Sequence, residues 1–231
     1  MKFENKLSIA KLIKRYKRFL ADVELPNGEV VVAHCANSGS MMGLCEPGSK
    51  VWLSPNTNPK AKLDWRWEMI EVDGSPVGIN TSRPNRIVEE AILANKIPEL
   101  LGYEFLRREV SYGIASRIDL LLKGPKLCYV EVKSVTLKRN GEAEFPDAVT
   151  SRGTKHLNEL EAMVKEGHRA VMLYLLQRMD CKSCSVADDI DPKYNDALLK
   201  AIKNGVEVLC YNSKLSETEI IIDKKIPFIA T

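Results

Sequence analysis

The stretch Ser116 to Val135, SRIDLLLKGPKLCYVEVKSV, constrains the fold more than any other part of the chain. Two apolar runs flank Gly124 and Pro125, a pair that ends strands and favours a turn, so the stretch reads as a β-hairpin. Side chains two apart on a strand share a face, which puts Glu131 and Lys133 together. Antiparallel pairing about the turn can place Asp119 opposite Glu131 on that face, whereas a slip of one residue would split the two carboxylates across the sheet. Like charges directly opposite each other destabilise a sheet. Two acids and a lysine held together therefore point either to a salt-bridge cluster at a sheet end or to a hard divalent cation. Mg2+ takes one or two carboxylates and keeps water or phosphate oxygens for the rest of its shell. Lys133 would then stand beside the metal as a point charge for a phosphate or for the attacking water.

The periodicity on either side of Thr81 differs. Before it, Lys14 to Leu25 reads as one strand, Pro26-Asn27-Gly28 as a turn, and Glu29 to Cys35 as the returning strand. Val51 to Ser54, Leu63 to Val72 and Val77 to Asn80 add further short strands, and five strands with little helical signal predict a small antiparallel barrel of the OB type. After it, Ser82 is placed to cap a helix with Pro84 in its first turn, followed by Ile87, Ala91 and Leu93 at helical spacing. Glu89 and Glu90 are neighbours in this helix, so only one of them can face a sheet.

A strand over Phe105 to Tyr112 precedes the hairpin. A polar connection then leads into a helix striped by Leu157, Leu160 and Met163, with Gly167 as its stop. Arg169 to Leu176 is a strand apolar on both faces, 192 to 204 another helix, and Val206 to Tyr211 a closing strand. This order predicts an α/β fold with a mixed sheet, and the chain divides into 1–81 and 82–231.

The 231 residues suffice for two such units, and 45% apolar with 28% charged content is ordinary for a soluble globular protein. No apolar run approaches the roughly 18 residues of a membrane span, so no membrane partner is expected. Charges scattered through the N-terminal residues, without a small-residue cleavage site, argue against a signal peptide and for the cytoplasm. Reduced thiols are then expected of the six cysteines; Cys181 and Cys184 form a C-x-x-C with no second pair to complete a zinc site. A net charge of +3 is too small to announce a nucleic-acid partner, but its distribution is uneven. Lys2, Lys6, Lys11, Lys14, Arg15, Lys17 and Arg18 face only Glu4 among residues 1–18, a local field able to attract phosphates. Tyr16, Phe19, Trp52, Trp65 and Trp67 either interleave with that charge as a nucleic-acid face or fill the barrel.

The order of elements, with Glu90 in the first helix, Asp119 on the second strand and Glu131-Val132-Lys133 on the third, resembles the PD-(D/E)XK nuclease-like core. Longer strings, IKRYKRFLADV, HCANSGSMMG, RPNRIVEEAI, SRIDLLL, YVEVKSVTL and FPDAVTSRGTKHL, resemble the sugar fermentation stimulation protein A (SfsA) family in the right order along most of the chain. The resemblance implies an N-terminal OB-fold, a PD-(D/E)XK-like second domain, DNA binding, and in bacteria a link to regulation of sugar, particularly maltose, catabolism. Carried onto this sequence, the helix acid falls on Glu90 rather than Glu89, the metal acids on Asp119 and Glu131, and the lysine on Lys133. Arg117 and the Arg152, Lys155 and His156 cluster also match and would hold phosphates, together with Lys14, Arg15, Lys17 and Arg18 on the barrel.

The expected cofactor is Mg2+ or Mn2+, and the expected partner is DNA, with a homodimer as an allowed state. Two activities follow: a metal-dependent deoxyribonuclease, or a non-catalytic DNA-binding regulator on the same scaffold. A sugar-binding module is suggested only by the family's name, and no residue marks a carbohydrate pocket.

Overall fold

A computed structural model describes residues 1–230 of the chain. Apolar alternation over the first 80 residues builds β1 (Ser8–Tyr16), β2 (Leu20–Glu24), β3 (Val30–His34), β4 (Lys50–Pro55), β5 (Trp65–Val72) and β6 (Ser75–Gly78). These lie in the order β3-β2-β1-β4-β5-β6, and a parallel pairing of β3 with β5 closes a barrel of five. Leu12, Val23, Ala33, Leu53, Trp67 and Ile70 fill its interior. The OB-type barrel expected from the spacing of short strands is therefore present.

One expected strand is two. The run Lys14 to Leu25 reverses between β1 and β2, with Lys17 and Arg18 both left-handed at φ 49° and 64°. Neither residue type announces that conformation, whereas Gly28, at φ 83°, marks the next turn as expected. The tryptophans resolve toward packing. Trp67 is fully buried and donates to the Met69 carbonyl (2.9 Å), and Trp52 is buried and donates to Glu217 (3.0 Å). Phe19 stays 47% exposed at the β1–β2 turn.

The second part begins with α1 (Pro84–Leu93) and a short 3-10 turn at Pro98–Leu100. There follow β7 (Phe105–Tyr112), β8 (Ser116–Lys123), β9 (Leu127–Val135), β10 (Leu137–Arg139), β11 (Glu142–Phe145) and α2 (Ser151–Lys165). The chain continues through β12 (Arg169–Leu176), β13 (Cys184–Val186), α3 (Pro192–Lys203), β14 (Glu207–Leu215), β15 (Ile220–Lys225) and β16 (Phe228–Ile229). The main sheet runs β15-β14-β12-β9-β8-β7, parallel at its centre and antiparallel at both edges, which is the mixed sheet expected. Alternation along β12 explains its position. Val171, Leu173 and Leu175 pack with α1 on one face, and Met172, Tyr174 and Leu176 pack with α2 and α3 on the other.

Three local expectations need correction. Ser82 does not cap α1; it bonds to Asn80 (2.7 Å), and Arg83 occupies the cap position without a side-chain cap bond. The polar connection after Leu137 holds the β10–β11 hairpin, turning at Asn140 and Gly141. The last strand extends past Tyr211 to Leu215, and β15 adds the sheet's edge. The first residues pack on this second part: Lys2 bridges Glu219, and the Phe3 amide donates to the Thr218 carbonyl (2.9 Å). All six cysteines are free, and no described helix is long and apolar enough to cross a membrane.

Beyond β12 the chain is fixed by Arg178, whose side chain is 3% exposed. Its guanidinium donates to Asp180 Oδ1 (2.7 Å) and Oδ2 (2.9 Å) and to the Thr136 carbonyl (2.7 Å), while Lys138 donates to the same carboxylate (2.7 Å). The Arg178 hydrogen bond is the chief cause that holds the Asp180 carboxyl well below its ordinary range, against a smaller opposing effect of burial. A depressed carboxyl contributes stability above the unfolded-state pKa of about 4 and loses it as pH falls through the folded value. Asp180→Asn is therefore expected to be less stable than the parent at neutral pH, with the gap closing on acidification. Urea titrations at pH 7 and below pH ~4 test this, and a gap that does not narrow would refute it.

Candidate active site

Where β8 and β9 part, the chain forms a cavity of about 350 Å3. Its walls are the barrel loop Asn37 to Gly39, the start of α1, the parting strands, the end of β11 and the first turns of α2. The register explains the opening. Leu122, Leu121 and Leu120 pair with Cys128, Tyr129 and Val130, a register that carries Asp119 opposite Glu131, but the ladder stops one pair short. Asp119 Oδ2 instead accepts from the Val132 amide (2.8 Å), so a carboxylate replaces the backbone partner as the strands separate. Its Oδ1 accepts from Asn85 Nδ2 (2.8 Å), which fixes the carboxylate against α1.

Glu131 is 2% exposed and lies on the α2 side of the sheet. Its Oε1 takes Lys133 Nζ (2.8 Å) and His156 Nδ1, and Arg152 Nε lies 3.3 Å from His156 Nε2. His156 thus bridges Glu131 and Arg152, and Lys133 Nζ also lies 3.4 Å from its Nδ1. Glu131 Oε2 is buried and has no partner. Burial pushes the Glu131 carboxyl up, but the His156 hydrogen bond and the Lys133 charge outweigh it and leave it below the ordinary range. Asp119 is pushed up to about 6, by burial first and by the negative charge of Glu131 second, against the Val132 amide, Lys133 and Asn85. Two carboxylates thus oppose each other electrostatically in one cavity, and one oxygen has no donor.

That donor set fits a hard divalent cation. Mg2+ needs only one or two carboxylates from protein, and Glu131 Oε2 is a buried oxygen lacking its expected partner. Among the described residues no three His, Cys, Asp or Glu side chains converge in metal-ligating geometry, so water and substrate oxygens would have to complete the shell. Glu90, expected as a third acid, is not part of the cavity lining. Its carboxylate meets Arg86 Nε (2.8 Å) and the Met1 amino group (2.8 Å). The physical reason is helical phase: residue 90 is five beyond Asn85, about 140° around the helix, whereas Glu89 is four beyond and shares the Asn85 face. Glu89 there lies 3.4 Å from Arg108 and does not line the cavity either.

Residues 13–79 match the family described as SfsA N-terminal OB domain, and residues 82–219 the one described as sugar fermentation stimulation protein RE domain. The chain belongs to the SfsA family. It is 56% identical over 218 residues to a sugar fermentation stimulation protein homolog of Paramagnetospirillum magneticum, covering 94% of this chain and 92% of that one. A homolog of Rhodospirillum centenum is 56% identical over 227 residues, 97% of each chain. Among solved structures, that of Pyrococcus furiosus SfsA in complex with Ca2+ superimposes with a TM-score of 0.90 at 25% identity, over 99% of this chain and 98% of that one.

The basic residues of this SfsA-family chain fall into two groups. Arg117, Arg152, Lys155 and His156 line a second recess of about 490 Å3, which shares Arg152 and His156 with the first cavity. On the barrel, Lys14 lies 3.4 Å from Asp22, and Lys17 and Arg18 are exposed on the β1–β2 turn. Arg15 is engaged by backbone carbonyls of its own chain. Its guanidinium donates to the carbonyls of Arg18 (3.1 Å), Asn37 (2.9 Å), Gly39 (3.0 Å) and Ser40 (3.3 Å), which uses four of its five N–H groups and shapes the loop that walls the cavity.

Sequence reasoning missed Asn85, Asp147 and Glu159. Asp147 accepts from the Met41 amide (3.0 Å), and its carbonyl accepts from Ser40 Oγ (2.6 Å), which docks the barrel loop on the second part. A Cβ on Gly39 would lie 2.9 Å from the Asp147 carboxylate, so any larger residue there would push that carboxylate aside. The polar string Asn37-Ser38-Gly39-Ser40 was the available signal, a loop without periodicity in an otherwise regular segment.

Proposed function

We propose that this chain binds DNA and hydrolyses its phosphodiester bonds with a divalent cation, Mg2+ or Mn2+, at the cavity between barrel and sheet. Residues 1–81 and 82–231 serve as its two working units. The observation that carries the reading is Glu131: one oxygen held by Lys133 and His156, the other buried, unpartnered and directed by the same side chain that shares its cavity with Asp119. The Pyrococcus furiosus relative is described in complex with Ca2+, which supports divalent binding by the family fold.

Asp119 and Glu131 would hold the cation. When bound it supplies Lewis-acid polarisation of a phosphoryl oxygen and a more acidic water. Asn85 and the Val132 amide hold the Asp119 carboxylate in place, and His156 does the same for Glu131 as a positioning residue. Lys133 is a cation whose ammonium already lies in the cavity, placed to meet a phosphate oxygen or orient the water. The α2 N-terminus at Thr150 to Gly153 and the Arg152 side chain offer anion donors at the same rim.

The deciding experiment is a cleavage assay on single-stranded, duplex and branched DNA with Mg2+ or Mn2+, beside an Asp119→Ala control. Cutting is expected from the parent, none from the control or in chelator. A second reading, a DNA-binding regulator of sugar catabolism without turnover, is favoured by the saturation of Glu131 Oε1, a charge network that could stand without a cation. Both readings predict affinity that falls with salt by a log–log slope of roughly 0.9 per phosphate neutralised. Arg152→Ala should lower that slope by about one. DNA binding with this slope but no cutting of any substrate would leave the regulator; binding insensitive to salt would remove both.

A further inference from the structure

The β7–β8 hairpin closes through Gly113, Ile114 and Ala115 between the paired residues Tyr112 and Ser116. Ile114 is 83% exposed, more than any other large apolar side chain described. A single exposed isoleucine is unremarkable on a loose loop. This loop is not loose. The Ile114 carbonyl accepts from Lys155 Nζ (2.8 Å), Ser116 Oγ donates to Glu159 (2.8 Å), and a Cβ on Gly113 would lie 2.9 Å from that carboxylate. Gly113 and Ala115 both have left-handed backbones, at φ 53° and 56°, and for alanine that conformation carries strain of about 1 kcal/mol. The chain thus anchors a strained turn on α2 and leaves its apolar tip in solvent.

Position gives the tip a purpose. Ala115, Ser116 and Arg117 line the recess with Glu109, Arg152, Lys155 and His156, and Arg152 and His156 connect it to the candidate active site. An aliphatic tip raised beside phosphate anchors matches the way proteins insert Ile, Leu or Phe between base steps, where backbone contacts hold the strand and the wedge unstacks it. We propose that Ile114 is a wedge that enters the base stack of bound duplex DNA, so that the substrate taken here is double-stranded DNA kinked or unpaired at the point of contact. The inference rests on the DNA-binding reading above and names the form of DNA. Glu159 and Lys155 act as positioning residues that hold the wedge at a fixed height over the recess.

The test uses the full chain in chelator, so that nothing is cut, with a duplex carrying 2-aminopurine and the matching single strand. The parent should raise 2-aminopurine fluorescence on binding the duplex. Ile114→Ser should abolish that rise and weaken duplex affinity about tenfold, while single-strand affinity moves less than about twofold. Ile114→Leu should behave as the parent. Phe105→Ser serves as control, because Phe105 is 65% exposed at the opposite end of β7, roughly 20 Å along the strand. Thermal unfolding should not change for any of the three. An unchanged fluorescence rise in Ile114→Ser, an equal loss for single strand and duplex, or a change in oligomeric mass instead of DNA affinity would overturn the wedge. Absence of any DNA binding by the parent would instead remove the reading on which it rests.

Discussion

Glu131→Gln is expected to lower DNA cleavage by roughly 10^2- to 10^3-fold or more, while DNA affinity stays the same or rises. The substitution keeps the shape of the side chain and leaves one amide oxygen able to accept from Lys133 and His156. It removes the negative charge and replaces the unpartnered Oε2 with an NH2 group, or the reverse, so the cavity loses half of its carboxylate pair. Hard cations require that charge. Phosphate binding does not, and Lys133, freed from its ion pair, becomes a stronger anchor for a phosphate oxygen. Cleavage rate and anisotropy measured on the same preparation separate the two effects. A Glu131→Gln protein that cuts as fast as its parent would rule out this cavity as the site of phosphodiester hydrolysis, whatever its affinity for DNA.

The hairpin that carries Asp119 and Glu131 was legible because three local signals agreed: a Gly-Pro turn, an apolar run on either side of it, and a period of two that put acid and lysine on one face. The register followed from the turn and leads to the pairing seen at Leu120 and Val130. What the sequence left undecided depended on geometry between elements. Glu89 and Glu90 are adjacent, and only the packing of α1, with Asn85 against Asp119, fixes which faces the sheet. His156 carried a signal as a basic residue near a helix start, but its bond to Glu131 joins residues 25 apart and belongs to tertiary structure. Arg15 stood in a basic run and read as a phosphate ligand; three of its four carbonyl partners, in Asn37, Gly39 and Ser40, belong to a segment that only the closed barrel brings near. Short strands such as β13 and β16 have too few residues to show a period, and the Lys17-Arg18 turn lacks the glycine or asparagine that usually marks a left-handed backbone.

Loss of Arg83 should destabilise the whole chain by about 3 to 5 kcal/mol, an effect that arises from a partner it leaves behind. Glu68, on β5, has a wholly buried side chain. Its Oε1 accepts from Ser54 Oγ (2.7 Å) and from the Arg83 guanidinium, and its Oε2 accepts from Asn80 Nδ2 (2.9 Å) and Arg83 Nε (2.9 Å). Four bonds thus gather β4, β5 and the residues leading into α1 onto one carboxylate, at the point where barrel passes into sheet. Arg83→Ala would leave a buried charge with two neutral donors and no cation. Arg83 itself is 20% exposed, so after Glu68→Gln its guanidinium can still reach water. The cost should therefore be unequal, with Arg83→Ala well above Glu68→Gln. Arg83→Lys should recover only part of the loss, because an ammonium cannot span both oxygens as the guanidinium fork does. Urea denaturation of the three variants measures the order. Equal costs, or an Arg83→Ala cost under about 1 kcal/mol, would show that this pair behaves as a surface salt bridge and does not weld the two parts of the chain.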